Sequence, residues 1–206
     1  MSQPTQHPVV NCRFCQTPLD LKPHNQQAGW IYCGECNSLQ ALREMPLPPG
    51  YEIAPPDQEF RLTYRWYSAK SWIYSGLWLF YTGGVLLLDL APTSMFCFCI
   101  IPLLILSMIG MTYLLASFFN HTTISIQKGE LIVENKPIPW FKNQRIKIAD
   151  IKDIFSQMSS GVAIPTEYQV AVHLHSTGEM ERLAGDLTAP QALFVEQELK
   201  RRLNNY

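Results

Sequence analysis

The chain has 206 residues, with 16 Lys and Arg against 17 Asp and Glu and a formal net charge of −1. That balance leaves no basic excess of the kind nucleic acid selects, and a mean hydropathy near zero would suit a soluble protein. The averages conceal an uneven distribution, because between Lys70 and Lys128 the only formal charge is Asp89.

The start, Met1 to Pro8, has neither a basic n-region nor an apolar h-region, so a cleaved signal peptide is not expected. Cys12-Arg13-Phe14-Cys15 and Cys33-Gly34-Glu35-Cys36 follow, two CxxC pairs separated by seventeen residues. This is zinc-ribbon spacing. Two residues between cysteines let a tight turn aim two thiolates at one ion, and two such turns complete a tetrahedral set. Gly34 suits a turn that needs positive φ. The expectation is a zinc ribbon over 1–44 with Cys12, Cys15, Cys33 and Cys36 as ligands of a structural Zn2+. An iron site uses similar ligands and stays open as the alternative. His7 and His24 are spare candidates. Disulfides are disfavoured if this end is cytoplasmic. From Met1 to Gly50 three cations (Arg13, Lys22, Arg43) cancel three acids (Asp20, Glu35, Glu44), which argues against nucleic acid here.

Met45-Pro46-Leu47-Pro48-Pro49-Gly50 and Ala54-Pro55-Pro56 predict a stiff connector, so 45–70 reads as a Pro-rich linker and an interfacial segment. Phe60 to Tyr67 alternates apolar and polar residues and reads as a strand or an interfacial stretch. Two apolar runs come next, Trp72–Leu88 and Met95–Phe119, joined by Asp89 to Ser94. A hydrocarbon core of about 30 Å needs ~20 apolar helical residues. The runs predict an antiparallel transmembrane hairpin over 71–120, with helices at about 71–90 and 94–119. Arg61, Arg65 and Lys70 before it and Lys128 after it place both termini in the cytoplasm by the positive-inside rule. The expected localisation is a cell (inner) membrane, multi-pass. Pro102 marks a kink, and Cys97 and Cys99 read as small apolar residues.

From Thr122 the period becomes two. Ile124 and Ile126 alternate with polar residues, Lys128-Gly129 turns the chain, and Leu131 to Val133 returns. Arg145 to Ile148 alternates again. Tyr168, Val170, Val172 and Leu174 share one face of a long strand, Ser176-Thr177-Gly178 turns, and Glu179 to Ala184 returns. A helix closes the chain, with Thr188 as N-cap, Gln191 three residues on, an apolar stripe of Leu193, Phe194, Leu199 and Leu203, and Lys200-Arg201-Arg202 in its last turn.

The run Ile124-Ser125-Ile126-Gln127-Lys128-Gly129-Glu130-Leu131, then Ile148-Ala149-Asp150-Ile151, then the Gln191-Ala192-Leu193-Phe194 helix resembles a bacterial pleckstrin-homology-like domain over 121–206. With the cysteine pairs and Arg65-Trp66 before the apolar runs, the whole chain resembles a group of uncharacterised bacterial membrane proteins. The resemblance implies a multi-part α+β membrane protein: zinc ribbon, transmembrane helical hairpin, and a PH-like β-barrel or sheet closed by an amphipathic helix. It implies no activity.

No GxSxG, HExxH, P-loop or dinucleotide fingerprint is present. The leading expectation is a non-enzymatic interaction or assembly protein presenting ribbon and β domain at the cytoplasmic membrane face to an unidentified protein partner, with membrane lipid around it and homo-oligomers compatible. The alternative is a lipid head-group sensor using Arg61, Arg65 and Lys70 with Lys142, Arg145 and Lys147. A third reading is a cryptic enzyme drawing on His173, His175, Asp150 or Asp153; His173-x-His175 could also form half of a metal site.

Overall fold

The structure is a computed structural model of the whole chain. It describes residues 8–55, 59–66, 72, 75–78, 80, 81, 83, 84, 97–138, 143–159 and 167–204. His7, Lys70, Lys142, the loop 89–94 and most of the first apolar run lie outside the described residues. Twelve β-strands lie among the described residues. Contacts divide it into two compact units, one of residues 1–49, 128–131 and 146–206, the other of 50–127 and 132–145.

The first unit begins with two short hairpins. Strands β1 (Val9–Asn11) and β2 (Pro18–Asp20) pair antiparallel, as do β3 (Trp30–Tyr32) and β4 (Leu39–Ala41). Between the hairpins lies helix α1 (Pro23–Ala28), started by a proline and stopped by Gly29 at φ 78°. A side chain at Gly29 would meet the Arg43 side chain. Later in the chain β10 (Ile151–Met158), β11 (Tyr168–Leu174) and β12 (Met180–Leu187) form an antiparallel sheet in that order. Helix α3 (Ala189–Leu203) packs on it. Val170, Val172, Leu187, Leu193, Val195 and Leu199 are buried between them. The expected N-terminus of α3 forms, with Gln191 Oε1 accepting from Thr188 N and from the Thr188 hydroxyl, both at 2.9 Å.

The two-hairpin module docks on this sheet. Met158 N donates to Asn37 O at 2.9 Å, and Ser38 bridges Gln157 antiparallel. Phe14 packs edge-on against Phe155 at 5.6 Å. On the helix side Gln197 Oε1 accepts from Met45 N, and its amide donates to Arg43 O. The module thus satisfies backbone groups on an edge strand that would otherwise be open to water or to another chain.

The second unit is built on a five-stranded sheet in the order β5 (Tyr51–Ile53), β6 (Arg61–Arg65), β7 (His121–Gln127), β8 (Glu130–Lys136), β9 (Gln144–Lys147). The hairpin tip 128–131 and the end of β9 are counted with the first unit. Lys128 and Gly129 have φ 51° and 77°, the left-handed pair that a tight hairpin requires. Leu62, Tyr64, Ile124, Ile126 and Val133 are buried. Helix α2 (Cys97–Phe119) leads into β7.

The predicted transmembrane hairpin is corrected by the structure. No helix among the described residues is long and apolar enough to cross a membrane. The described side chains of α2 begin at Ile105. Its last turns bury Leu114, Ala116 and Ser117, and Asn120 beyond them is 1 % exposed. That end belongs to the unit's own core, a distinction that hydropathy averaged over a long window does not make. The multi-pass inner-membrane localisation with cytoplasmic termini, which rested on the hairpin, falls with it. The strands after Thr122 also do not close a barrel among the described residues. They divide between two sheets, one of which recruits β5 and β6 from before the apolar runs.

Candidate metal centre

Each cysteine pair occupies the turn of one hairpin, Cys12 and Cys15 between β1 and β2, Cys33 and Cys36 between β3 and β4. The two turns repeat one geometry. Cys12 N donates to Thr17 O at 2.8 Å, and Cys33 N donates to Ser38 O at 2.9 Å. The residue after the second cysteine takes the left-handed conformation in both, Gln16 at φ 62° and Asn37 at φ 57°. Gly34, expected to supply positive φ, does not; the reversal comes three residues later, at Asn37.

The four Sγ atoms lie within 4.8 Å of one another. Two approaches cross between the turns, Cys12 to Cys36 at 3.6 Å and Cys15 to Cys33 at 3.5 Å. A tetrahedral ion with bonds of about 2.3 Å to sulfur separates its ligands by about 3.8 Å, so the donor set and its spacing fit a metal held by four thiolates. Among the described residues this is the only group of three or more potential ligands.

Two hydroxyls that the sequence reading passed over complete the site. Ser38 Oγ lies 3.0 Å from Cys36 Sγ and 3.6 Å from Cys12 Sγ, and Thr17 Oγ1 lies 3.1 Å from Cys15 Sγ. The signal was in the chain: Cys12-Arg13-Phe14-Cys15-Gln16-Thr17 and Cys33-Gly34-Glu35-Cys36-Asn37-Ser38 share an amide or its homologue and then a hydroxyl after the second cysteine. Cys12 is raised by burial, but hydrogen bonds from the Cys15 and Phe14 backbone and from Ser38 outweigh this and bring it to about 6. Thr17 lowers Cys15. Burial pushes Cys33 up to about 12. The surroundings thus favour the thiolate of Cys12 and disfavour that of Cys33, until a metal takes the place of its proton.

The other candidate residues take other places. Arg61 and Arg65 lie exposed on β6, and Arg145 and Lys147 exposed on β9. Glu134 of β8 pairs with Lys136 at 2.8 Å. Its carboxyl is lowered by the hydrogen bond from Lys136 and then by the charges of Lys136, Arg145 and Arg61. Part of the basic cluster is thereby balanced by a carboxylate. Asp150 ties a turn, accepting from Ser176 N at 2.7 Å and from its hydroxyl at 2.6 Å. Asp153 accepts from Ile154 N and pairs with Lys200. His173 Nε2 bonds Gly178 O at 3.0 Å across the β11–β12 turn, and His175 is exposed. None of these four joins a ligand cluster.

No protein-family model matches the chain, and no curated protein matches it. Of the resemblance drawn from the sequence, the structure bears out the clustering of the four cysteines.

Proposed function

We propose that the chain is a zinc-stabilised, non-enzymatic interaction and assembly protein whose first unit presents a docking surface to a protein partner. One observation carries the reading. The cysteine turns are wired into the body of the unit, through Asn37 O to Met158 N and the Ser38–Gln157 bridge, so an ion held there stiffens a surface far larger than itself. Cys12, Cys15, Cys33 and Cys36 would hold the metal, and Ser38 and Thr17 would donate to thiolates. A bound zinc supplies a closed, redox-inert crosslink with no open position for substrate. Hairpins this short lack a core of their own, and such modules draw their folding free energy from the metal.

The test begins with metal analysis of full-length protein purified without chelators. One zinc per chain supports the reading, and one iron rejects zinc in favour of the alternative metal. The second step is affinity capture from the native cell, comparing wild type with Cys33→Ser/Cys36→Ser. A stoichiometric partner lost in the variant is the expected result. A zinc-loaded wild type that retains no partner rejects stable docking.

A further inference from the structure

We infer that a cleft beside the cysteine cluster is a binding site for a small organic carboxylate. The cleft has a volume of about 420 Å³ and lies wholly within the first unit, between the first cysteine turn, β4 and α3. That volume is in the range of small-molecule sites. Its lining divides by chemistry. Phe14, Leu39, Ala41 and Leu193 give an apolar floor, with Leu39 and Leu193 each 1 % exposed. Three cations reach it, and two are already committed. Lys200 pairs with Glu196 at 2.8 Å and with Asp153 at 3.2 Å. Arg201 pairs with Glu198 and with Glu44. Both polar atoms of the Gln197 amide are spent on main chain.

Arg13 is different. Its backbone N–H donates to Gln40 Oε1 at 3.0 Å, which anchors the residue. Its exposed guanidinium has no carboxylate partner among the described residues. The cleft therefore offers one cation without an ion-pair partner among the described residues beside an apolar floor, and the carboxylate in its lining, Glu196, is held by Lys200 and by Ser156 N. A guanidinium receives a carboxylate through two parallel N–H donors. A bare inorganic anion would leave the floor wet, a neutral apolar molecule would leave the cation unmatched, and a dianion would need a second free charge. A monoanionic carboxylate on an apolar or aromatic body satisfies both surfaces. Arg13 and Phe14 are the two residues enclosed by Cys12 and Cys15, so this wall rests on the metal-stabilised reading given above.

The experiment uses full-length, metal-loaded protein and three probes: benzoate, acetate and benzamide. Backbone amide shifts of Arg13, Ala41 and Leu193 are followed by NMR as each is titrated. Benzoate is expected to shift all three saturably, acetate and benzamide at least tenfold more weakly. Arg13→Gln, at an exposed side chain, is expected to weaken benzoate about tenfold while leaving the spectrum otherwise intact. Ala41→Leu, which fills the floor, abolishes the response. Equal responses to all three probes, or none to benzoate, overturn the proposal. Metal content measured on the same sample separates the two readings. A zinc-loaded chain that ignores benzoate sinks the cleft and spares the metal site. A chain that binds benzoate without metal sinks the metal site and spares the cleft, and one that takes up no metal and ignores benzoate sinks both.

Discussion

Ser38 carries two roles on separate atoms: its hydroxyl faces Cys12 and Cys36, and its backbone bridges β10. Ser38→Ala removes the first and keeps the second. Loss of a hydrogen bond to a metal ligand commonly costs ten- to a hundredfold in affinity, so Ser38→Ala is expected to weaken metal binding by the four cysteines about tenfold in competition with a chromophoric chelator, with the backbone bridge retained. Asp150 is a second case. Its carboxyl sits below the ordinary aspartate value because the Ser176 hydroxyl and N–H both donate to it. A carboxylate depressed in the folded state contributes stability above its unfolded value, near 4, and loses it as pH falls through the folded-state value. Asp150→Asn is expected to lower Tm at pH 7 and to flatten the fall in Tm below about pH 4, measured by thermal melts across pH. The cysteine pairs were legible because ligand spacing is local. Gly34 misled because composition names a residue that tolerates positive φ, whereas the closing hydrogen bonds decide where the reversal falls, here at Asn37.

At the scale of elements, the join between α2, β6 and β7 is held by buried amides. Asn120 Nδ2 donates to Ile138 O at 2.6 Å, and Ile138 N donates to Asn120 Oδ1 at 2.8 Å, so one side chain stands in for a missing strand. Trp66 Nε1 donates to the Thr122 hydroxyl, which donates to Asn135 Oδ1, both at 2.7 Å. Asn120→Ala strands a buried donor and acceptor together, and is expected to cost about 2–4 kcal/mol, read from urea denaturation. The Arg65-Trp66 pair, noted in the sequence as a motif before the apolar runs, acquires its meaning here. Alternation over Phe60 to Tyr67 revealed a possible strand but not its partner, because β7 lies beyond the apolar runs and nothing local encodes that pairing. The strands β7, β8, β11 and β12 and the capped helix α3 were readable, since each carries its own period and turn chemistry. Helix α2 was misassigned to a bilayer because its run of apolar residues does not reveal which of them, such as Ala116, pack on protein.

Across the whole molecule, neither unit is continuous in sequence. The first joins 1–49 to 146–206, and the second joins 50–127 to 132–145. Removing the metal should therefore be felt far along the chain from the cysteines. With a chelator, hydrogen exchange at the Met158 amide, which donates to Asn37 O, is expected to accelerate, while the Val172 amide in the central strand stays protected. Unchanged exchange at Met158 would show that docking of the hairpins is independent of the ion. The same discontinuity sets a schedule during synthesis. Cys36 leaves the ribosome about 170 residues before the end of α3, which at ~5–20 residues per second is an interval of roughly 10–30 s. Throughout that interval the four thiols are presented without the strand and helix on which their module later docks. On the metal-centre reading, the moment at which the cell must supply the ion, and keep the thiols reduced, is therefore set by translation as much as by affinity.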